Sequence, residues 1–564
     1  MKILKLFNKT IATILFVIIF FSTSQVKSLD KFDKAERVSD YFSGILLLNE
    51  NQYEKSFNFL KKLSGLETSH SNYSLKYLYA LINSGNFKEA FNYSKKLEKQ
   101  GLDSFESQLI VGIFYLKNSN LDLAQKFFLK AKTRNSGLIL NNYVSNSLYN
   151  WSRLGNHDFN KAIFDLDKLD QRFENLKKIQ NVFLNCYYKN LNTNNLFKEL
   201  VSNKKIDFSR YNYFYASSMA SSSKIEKAKE IINSALKLNP RNVLLNQYKL
   251  DLNKENNYKI FDCQNIGHVI AEILYITSNA LSSQSVYSLS NFYLNLAKYL
   301  NEDFHSYNTL LAENFYNINN FDQAKKIYSN LSKKGKAFQW YSSKQLARIY
   351  IQEGNEKKAL ELVRQAYNNL AVKDIYETFD YAEFLKNNKK FKESIFYYTK
   401  IIDEVKKNHP LYIESTDGRG VAYEQINEWD KAEKDLLASL EADPEQAYVI
   451  NYLAYSWIEQ GVKIEESLNM LQKANKIRSN DPYITDSLGW ALFKLERYKE
   501  SKNYLQLAVK LMPGDPIVND HYGDVLWKNG DEIQARYYWN YVLKLEKAED
   551  KLKKTIKEKL IKGL

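Results

Sequence analysis

Small and large apolar residues recur along this chain at intervals of 34 or 35 residues. Gly420, Ala454, Gly489 and Gly523 lie 34, 35 and 34 residues apart in similar apolar surroundings. Comparable anchor residues precede them at Gly44, Leu78, Gly112, Ala216, Ala312, Ala347 and Ala382. A repeat of this length predicts many copies of one small structural unit, each packed on its neighbours, rather than a single large core.

Residues of defined size follow each anchor at fixed distances. About twelve residues later a second small residue stands at Ser56, Ala90, Ala124, Ala228, Ala324, Ala359, Ser394, Ala432, Ser467, Ser501 and Ala535. Four residues further on, the chain usually has a large side chain, such as Phe128 or Trp539. Two helices approach closely only where small residues meet, so the pattern predicts two antiparallel helices per unit. Asn and Gly break the chain between them, and Pro240, Pro444 and Pro513 end their units.

These small, large and proline positions resemble the tetratricopeptide repeat (TPR) family over most of residues 38–545. The resemblance implies an all-α fold, a right-handed TPR superhelix (an α-solenoid) of about 13–15 helix-turn-helix repeats. Within residues 310–564, the stretches Asn451–Gly461, 486–498 and 518–531 resemble a narrower group, the exported TPR proteins of alphaproteobacteria. That resemblance implies the envelope of a Gram-negative bacterium and brings no defined activity.

The amino-terminal residues predict export. Three lysines precede an apolar run from Ile11 to Phe21, and small residues lead up to Ser28. This layout predicts a secretory signal peptide over residues 1–28 and a periplasmic protein. The alternative is an uncleaved leader that anchors the protein in the inner membrane through residues 10–25.

The rest of the chain divides into four predicted segments. Residues 29–252 form an amino-terminal TPR solenoid, and the polar stretch 253–265 is a linker or irregular break. Residues 266–542 form a second solenoid, and 543–564 form one long capping helix with a polar outer face. A basic amphipathic contact with a membrane is the alternative role of that last helix.

Charge and cysteine content add little to this picture. The formal net charge of +15 is spread along the chain, which is typical of lysine-rich solvated helix faces. Export disfavours nucleic acid as a partner.

Cys186 and Cys263 lie 77 residues apart, over two repeats. Because stacked helices are about 8–10 Å apart and a disulfide needs Cα atoms within about 7 Å, we expect both cysteines to be unpaired.

No catalytic, metal or cofactor site is predicted. The chain contains no zinc-protease motif, nucleophile elbow, phosphate-binding loop or CxxC pair. His268 and Glu272 could share a helix face, but two ligands do not make a metal site. Asp520, His521 and Asp524 cluster without a positioned Ser or Cys, so we expect hydrogen bonding rather than catalysis, and we do not expect an enzyme.

The resemblance to the TPR family implies a concave surface lined by the first helix of each repeat. Its inward positions in the last four repeats give an Asp/Asn column and an aromatic column: Asp417, Asn451, Asp486, Asp520, Asp524, Tyr448, Tyr483, Tyr455, Trp490, Phe493 and Trp527. The acids favour a neutral or basic peptide, and the rings could cover apolar side chains or sugars. The alternative is that the rings fill space between repeats and the acids are merely solvated.

The sequence therefore predicts a non-catalytic protein-protein interaction scaffold in the bacterial envelope that binds an extended protein or peptide segment in its groove. An accessory to polysaccharide export or cell-wall synthesis that binds glycan is the alternative. Membrane contact is expected only through an uncleaved leader or the carboxy-terminal helix.

Overall fold

The computed structural model describes residues 34–134, 137–202, 208–253, 260–370 and 372–564. Within these ranges the chain forms thirty α-helices, α1 to α30, and no β-strand. The all-α prediction is confirmed. The predicted signal peptide lies outside the described residues. Among the helices that are described, none combines the length and the apolar character that a bilayer span requires.

The helices belong to two compact units that divide between Ala366 and Tyr367, inside α19. In the first unit the helices are α1 (34–49), α2 (Tyr53–Leu60), α3 (Ser71–Asn83), α4 (Phe87–Lys99), α5 (Phe105–Lys117), α6 (Leu121–Thr133), α7 (Ile139–Ser152), α8 (Phe159–Asp167), α9 (Glu174–Tyr187), α10 (Thr193–Val201), α11 (Tyr211–Ser221), α12 (Ile225–Leu238), α13 (Val243–Asn253), α14 (Ile266–Ser283), α15 (Tyr287–Leu300), α16 (Ser306–Asn317), α17 (Phe321–Leu331), α18 (Lys336–Gln352) and α19 (Glu356–Asn368).

The second unit begins with the end of α19. It continues with α20 (Ile375–Asn387), α21 (Phe391–Glu404), α22 (Pro410–Glu424), α23 (Trp429–Ala442), α24 (Ala447–Glu459), α25 (Ile464–Ile477), α26 (Pro482–Lys494), α27 (Tyr498–Leu511), α28 (Pro516–Lys528), α29 (Glu532–Lys544) and α30 (Asp550–Lys562). The predicted break at 253–265 lies within the first unit, and its residues 254–259 are outside the described ranges. That boundary stays a prediction.

Consecutive helices form fourteen helix-turn-helix pairs, with α13 and α30 outside them. In thirteen pairs the turn contains a residue of positive φ, and in every pair with a predicted anchor such a residue lies seven positions after that anchor; the α24–α25 turn contains a second one, Lys463. Apart from Lys463, these turn residues are Asn51, Gly85, Ser119, Lys189, Ser223, Ser285, Asn319, Gly354, Lys389, Asn427, Gly461, Glu496 and Gly530. Nine of the thirteen are not glycine. Because a left-handed backbone costs such residues free energy, the packing of the two helices must impose the turn.

Each glycine anchor lies directly under the large residue sixteen positions later. A Cβ added to Gly112 would lie 2.5 Å from the ring of Phe128, and one added to Gly489 would lie 2.7 Å from the side chain of Leu505. The second small position also bonds back to the anchor, since the Ser501 hydroxyl donates to the Gly489 carbonyl at 2.7 Å. The predicted pattern of small and large residues therefore arises because the two helices of each pair pack against each other at these positions.

The structure reveals a repeat that lacks a Gly or Ala anchor. In the α14–α15 pair, Ser278 occupies the anchor position, and Ser290, twelve residues later, donates its hydroxyl to the Ser278 carbonyl at 2.8 Å. Leu294 follows as the buried large residue. Serine satisfies this position because its side chain is small enough to pack under Leu294.

The first unit departs from a simple solenoid, because α15 packs against α3 and α5, and α14 packs against α7. Phe292 contacts Tyr79 with ring centroids 4.9 Å apart, and Tyr299 stacks on Phe87 at 4.3 Å. One continuous buried core consequently extends from Leu48 to Ile349. In an ideal solenoid each repeat contacts only its neighbours, whereas here residues more than two hundred positions apart are in contact.

The prediction that both cysteines are unpaired is wrong. Cys186 at the end of α9 and Cys263 before α14 form a disulfide, with Cα atoms 6.0 Å apart. The prediction assumed that Cys263 lies on a helix stacked two repeats away. Instead the segment before α14 folds back, and Phe261 packs against Phe183 and Phe214, at centroid distances of 5.3 and 4.5 Å.

The last helix is also shorter than predicted. Helix α29 continues to Lys544, and α30 begins only at Asp550, so 543–564 is not one helix. Leu545 has an extended backbone that ends α29. The turn lets α30 reverse direction and pack on α29 through the buried residues Ala548 and Ile556.

Candidate functional site

The predicted Asp/Asn column lies on the first helices of four successive pairs in the second unit. Asp417 is on α22, Asn451 on α24, Asp486 on α26 and Asp520 on α28. These first helices contact one another from α24 to α26 and from α26 to α28. Two neighbouring repeats are joined directly, because His521 Nδ1 lies 2.9 Å from the Asp486 carboxylate across 35 residues of sequence.

The last position of the column is occupied by a cation from the same chain. Lys559 of α30 places its ammonium 2.6 Å from Asp520 Oδ1 and 2.7 Å from both carboxylate oxygens of Asp524. Trp539 donates its indole N–H to Asp524 Oδ1 at 3.0 Å. All four side chains have little or no contact with solvent. Burial and the nearby Asp520 raise the pKa of Asp524 to about 6, although Lys559 opposes that rise.

Lys559 is the residue that the sequence reasoning missed. Its position three residues after Ile556 and seven after Leu552 puts it on the packed stripe of α30, and this spacing is the signal that could have identified it. Helix α30 therefore packs on α29 and also supplies a cation to the last two acids of the predicted column.

One repeat earlier, the column carries hydrogen-bond acceptors that lack donors. Asp486 uses Oδ2 for His521, while its Oδ1 is buried and has no partner among the described residues. The side-chain oxygen of Asn451 is likewise buried and unpaired within the described part of the chain. An unsatisfied buried acceptor costs about 1–3 kcal/mol. These two oxygens are therefore suited to accept hydrogen bonds from a ligand.

His521 lies next in sequence to Asp520, which Lys559 contacts, and its imidazole contacts Asp486 of the preceding repeat. Burial alone lowers the pKa of its imidazole, but the adjacent Asp486 carboxylate outweighs burial, and the pKa of His521 is raised overall. The ring also stacks on Trp490, with centroids 3.9 Å apart. His521 thus engages one oxygen of the Asp486 carboxylate and leaves the other, which is buried, without a partner among the described residues.

Asp417 is partly buried, whereas the other acids of the column are buried. Its carboxylate makes no hydrogen bond or ion pair with the residues that the structure describes. Burial raises the pKa of Asp417 to about 6; Lys386 lowers it and Glu383 raises it further. A cation within contact distance stabilises a partly buried carboxylate without a partner more than it stabilises a solvated carboxylate.

The predicted aromatic column is not a continuous exposed surface. Trp490 is 7% exposed, stacks on Phe493 and donates its indole N–H to Glu459 at 2.8 Å. The ring of Trp527 is covered by Arg536, whose guanidinium lies 5.1 Å from its centroid, and by Gly563. These rings fill space between repeats, which was the alternative reading of the sequence.

Only two residues of the predicted aromatic set are widely exposed. Tyr448 and Tyr483 are 50% and 56% exposed and lie on the first turns of α24 and α26. The hydroxyl of Tyr448 donates to Asp481 at 2.9 Å, and the Arg478 guanidinium lies 4.7 Å from its ring centroid. Tyr455 is partly buried near His521, with ring centroids 6.4 Å apart.

The two sequence clusters that could have suggested catalysis have other roles. Glu272 forms a two-pronged ion pair with Arg210, at 2.8 and 2.9 Å, and His268 accepts a hydrogen bond from the backbone of Asp262. Asp520, His521 and Asp524 are tied to Lys559 and Asp486, as above. Within the described part of the chain, no three His, Cys, Asp or Glu side chains converge as a metal-binding group.

Comparisons with known proteins agree with this architecture. The family model of the tetratricopeptide repeat matches residues 297–548. A TPR repeat-containing protein of Pseudomonas aeruginosa is 30% identical over 113 residues, which are 20% of this chain and 18% of that protein. The match thus spans less than a fifth of the relative's length.

Several solved structures share short helical stretches with this chain. A MamA fragment from Desulfovibrio magneticus RS-1 is 17% identical, with a TM-score of 0.27, covering 31% of this chain and 97% of that one. The TPR protein YrrB is 16% identical, with a TM-score of 0.27 and coverages of 36% and 97%. Similarity this low says nothing about function. The matched family model and the helix pairs with their small-residue contacts identify tetratricopeptide repeats over residues 297–548.

Proposed function

We propose that this protein is a non-catalytic interaction scaffold of the bacterial envelope, and that its second unit binds an extended basic segment along the Asp/Asn column. TPR proteins bind protein or peptide partners and are generally non-catalytic. The ligand's lysine or arginine side chains would meet Asp417, Asn451 and Asp486.

The occupancy of the column by Lys559 carries this proposal. The chain supplies its own ammonium to Asp520 and Asp524, while the three preceding repeats offer an unpaired carboxylate and two unpaired acceptor oxygens. A cationic side chain at each of those positions would repeat the contact that Lys559 makes. Charge-assisted hydrogen bonds of this kind are about twice as strong as neutral ones.

The envelope location is supported by two independent features. The amino-terminal residues have the layout of a secretory leader. The Cys186–Cys263 disulfide also suits an oxidising compartment, because thiols stay reduced in the bacterial cytosol. An inner-membrane anchor through residues 10–25 would put the same solenoid in the same compartment.

The binding proposal is tested by calorimetric titration of the oxidised protein with three unstructured peptides of equal length, rich in lysine, glutamine or glutamate. We expect binding of the lysine peptide only, and about tenfold weaker binding by the double variant Asp417→Asn, Asp486→Asn. The charge-matched control is Asp430→Asn, Glu466→Gln, since both acids are exposed on second helices, α23 and α25.

Equal loss in the two double variants would mean that net charge rather than the column attracts the peptide, and would refute the proposal. A glycan array run beside the titration tests the alternative function. Glycan binding that depends on the exposed rings of Tyr448 and Tyr483, without binding of the lysine peptide, would favour that alternative.

A further inference from the structure

A cavity lies in the first unit, far along the sequence from the acidic column. It is enclosed by the turn before α4, the end of α15, the start of α16 and the end of α17. Its volume is about 800 Å³, within the range of about 300–1,000 Å³ that is usual for sites of organic ligands. The cavity exists because α15 packs back on the amino-terminal repeats.

Cations dominate the lining of this cavity. Lys298, Lys333 and Lys334 contribute to its wall, and His305 lies beside them. The one acid in the wall, Glu302, is already paired with Lys117 at 3.0 Å. The cavity therefore has a net positive charge that no carboxylate in its wall neutralises.

Lys298 is the central group, because it is partly buried. It forms no ion pair with any residue that the structure describes. Burial lowers its pKa against a weak opposing effect of Glu302. Burial also lowers the pKa of His305, and Lys334 and Lys298 lower it further, against Asp303. Burial and neighbouring cations therefore disfavour the charged forms of Lys298 and His305, and a bound anion would favour those charged forms again.

The rest of the wall provides neutral donors and an apolar surface. The amide side chains of Asn308 and Asn330 face the cavity beside the cations. Ile327, Leu331 and the stacked pair Tyr299 and Phe87 form the apolar part. An ideal ligand thus has a multiply charged anionic end and a compact apolar body.

We propose that this cavity is a binding site for an organic phosphate, with the phosphate group held by Lys298, His305 and Lys334 and the apolar body placed against Tyr299 and Ile327. A phosphate presents three acceptor oxygens and up to two negative charges, so several separate donors can engage it at once. The same chemistry belongs to a soluble phosphate ester and to the headgroup of an anionic lipid.

Phenyl phosphate is a suitable soluble probe, with phenol as the neutral control, and vesicles of phosphatidic acid or phosphatidylcholine test the lipid source. The full oxidised chain is titrated with each. We expect Lys298→Met to weaken binding of the phosphorylated probe by about tenfold or more. Lys326→Met, on an exposed part of α17 outside the cavity, should leave it unchanged.

The unliganded variants provide the check on folding. Because Lys298 is a partly buried cation without a partner, we expect the thermal midpoint of Lys298→Met to be at least that of the unmodified protein. Binding of phenyl phosphate supports a soluble ester, and binding only of phosphatidic acid vesicles supports a lipid headgroup. Binding of neither, or equal binding by Lys298→Met and Lys326→Met, would overturn the proposal.

Discussion

Lys559, five residues from the end of the chain, holds both carboxylate oxygens of Asp524 at 2.7 Å from inside the predicted binding column. The two residues are 35 positions apart, one repeat length, so α30 approaches the column much as another repeat would. The contact couples two roles of the last helix: it ends the array, and it satisfies the last acids of the column.

Removal of the Lys559 ammonium should destabilise the end of the second unit and create a vacant site. Lys559→Ala leaves Asp520 and Asp524 buried without a counter-charge, and we expect the free energy of unfolding to fall by about 3 kcal/mol. The truncated side chain leaves room for n-propylammonium, which should restore part of the thermal midpoint. Equal effects of n-propylammonium and n-propanol would argue against ammonium recognition.

The glycine anchors should not tolerate an added methyl group. Gly489→Ala forces a Cβ to within 2.7 Å of Leu505, and we expect a loss of about 1–3 kcal/mol in the free energy of unfolding. Gly514→Ala is the matched control, because nothing lies within 4 Å of a Cβ at that position and its backbone needs no positive φ. Urea denaturation of both variants makes the comparison; equal stability would contradict the packing described above.

This size pattern is the part of the fold that the sequence predicts best. Gly489, Ser501 and Leu505 are recognisable in the sequence because close packing of two helices fixes the side-chain volume at each position. The amino-acid type states that volume directly. Ser278 escaped detection because serine is small yet polar. The packing of α15 against α3 could not be predicted. It depends on contacts such as that between Phe292 and Tyr79, and in the sequence both residues look like ordinary core positions of their own repeats.

The candidate site was only partly predictable for a similar reason. Its acids follow from repeat register, and Asp486 and Asp520 do lie on adjacent first helices. Register does not reveal which rings are covered, and Trp490 is buried against His521 rather than exposed. Nor does it reveal that a lysine outside the repeats reaches into the column.

Asp417 should make stability depend on pH in a defined direction. Its pKa is about 6 in the folded protein and 3.8 as the ordinary value, so the folded state binds this proton more tightly than the unfolded state. The penalty for the buried carboxylate is absent below about pH 4 and complete above about pH 6. Asp417→Asn should therefore raise the free energy of unfolding at pH 7.5, by about 1–2 kcal/mol, and have little effect at pH 4.

Urea denaturation at the two pH values measures this difference. Asp430→Asn, an exposed acid on α23, serves as the control and should give no such pH dependence. An equal gain at both pH values, or a loss at pH 7.5, would show that Asp417 is not held in an unfavourable charged state.

The disulfide should stabilise the first unit by closing a long loop. Cys186 and Cys263 are 77 residues apart in the sequence. We expect Cys186→Ser to lower the free energy of unfolding by about 2–4 kcal/mol. Hydrogen exchange should increase in α9 and α14, while α26 in the second unit provides an internal reference. Two titratable thiols in the non-reduced protein would contradict the pairing.

The most direct test of the acidic column is photo-cross-linking of a lysine-rich peptide, with the reactive group beside its lysine, followed by mass spectrometry of the products. We expect cross-links on the first helices α22, α24 and α26, near Asn451 and Tyr455, and we expect the double variant Asp417→Asn, Asp486→Asn to lose them. Cross-links confined to the second helices α23, α25 and α27, or unchanged in that variant, would contradict this prediction.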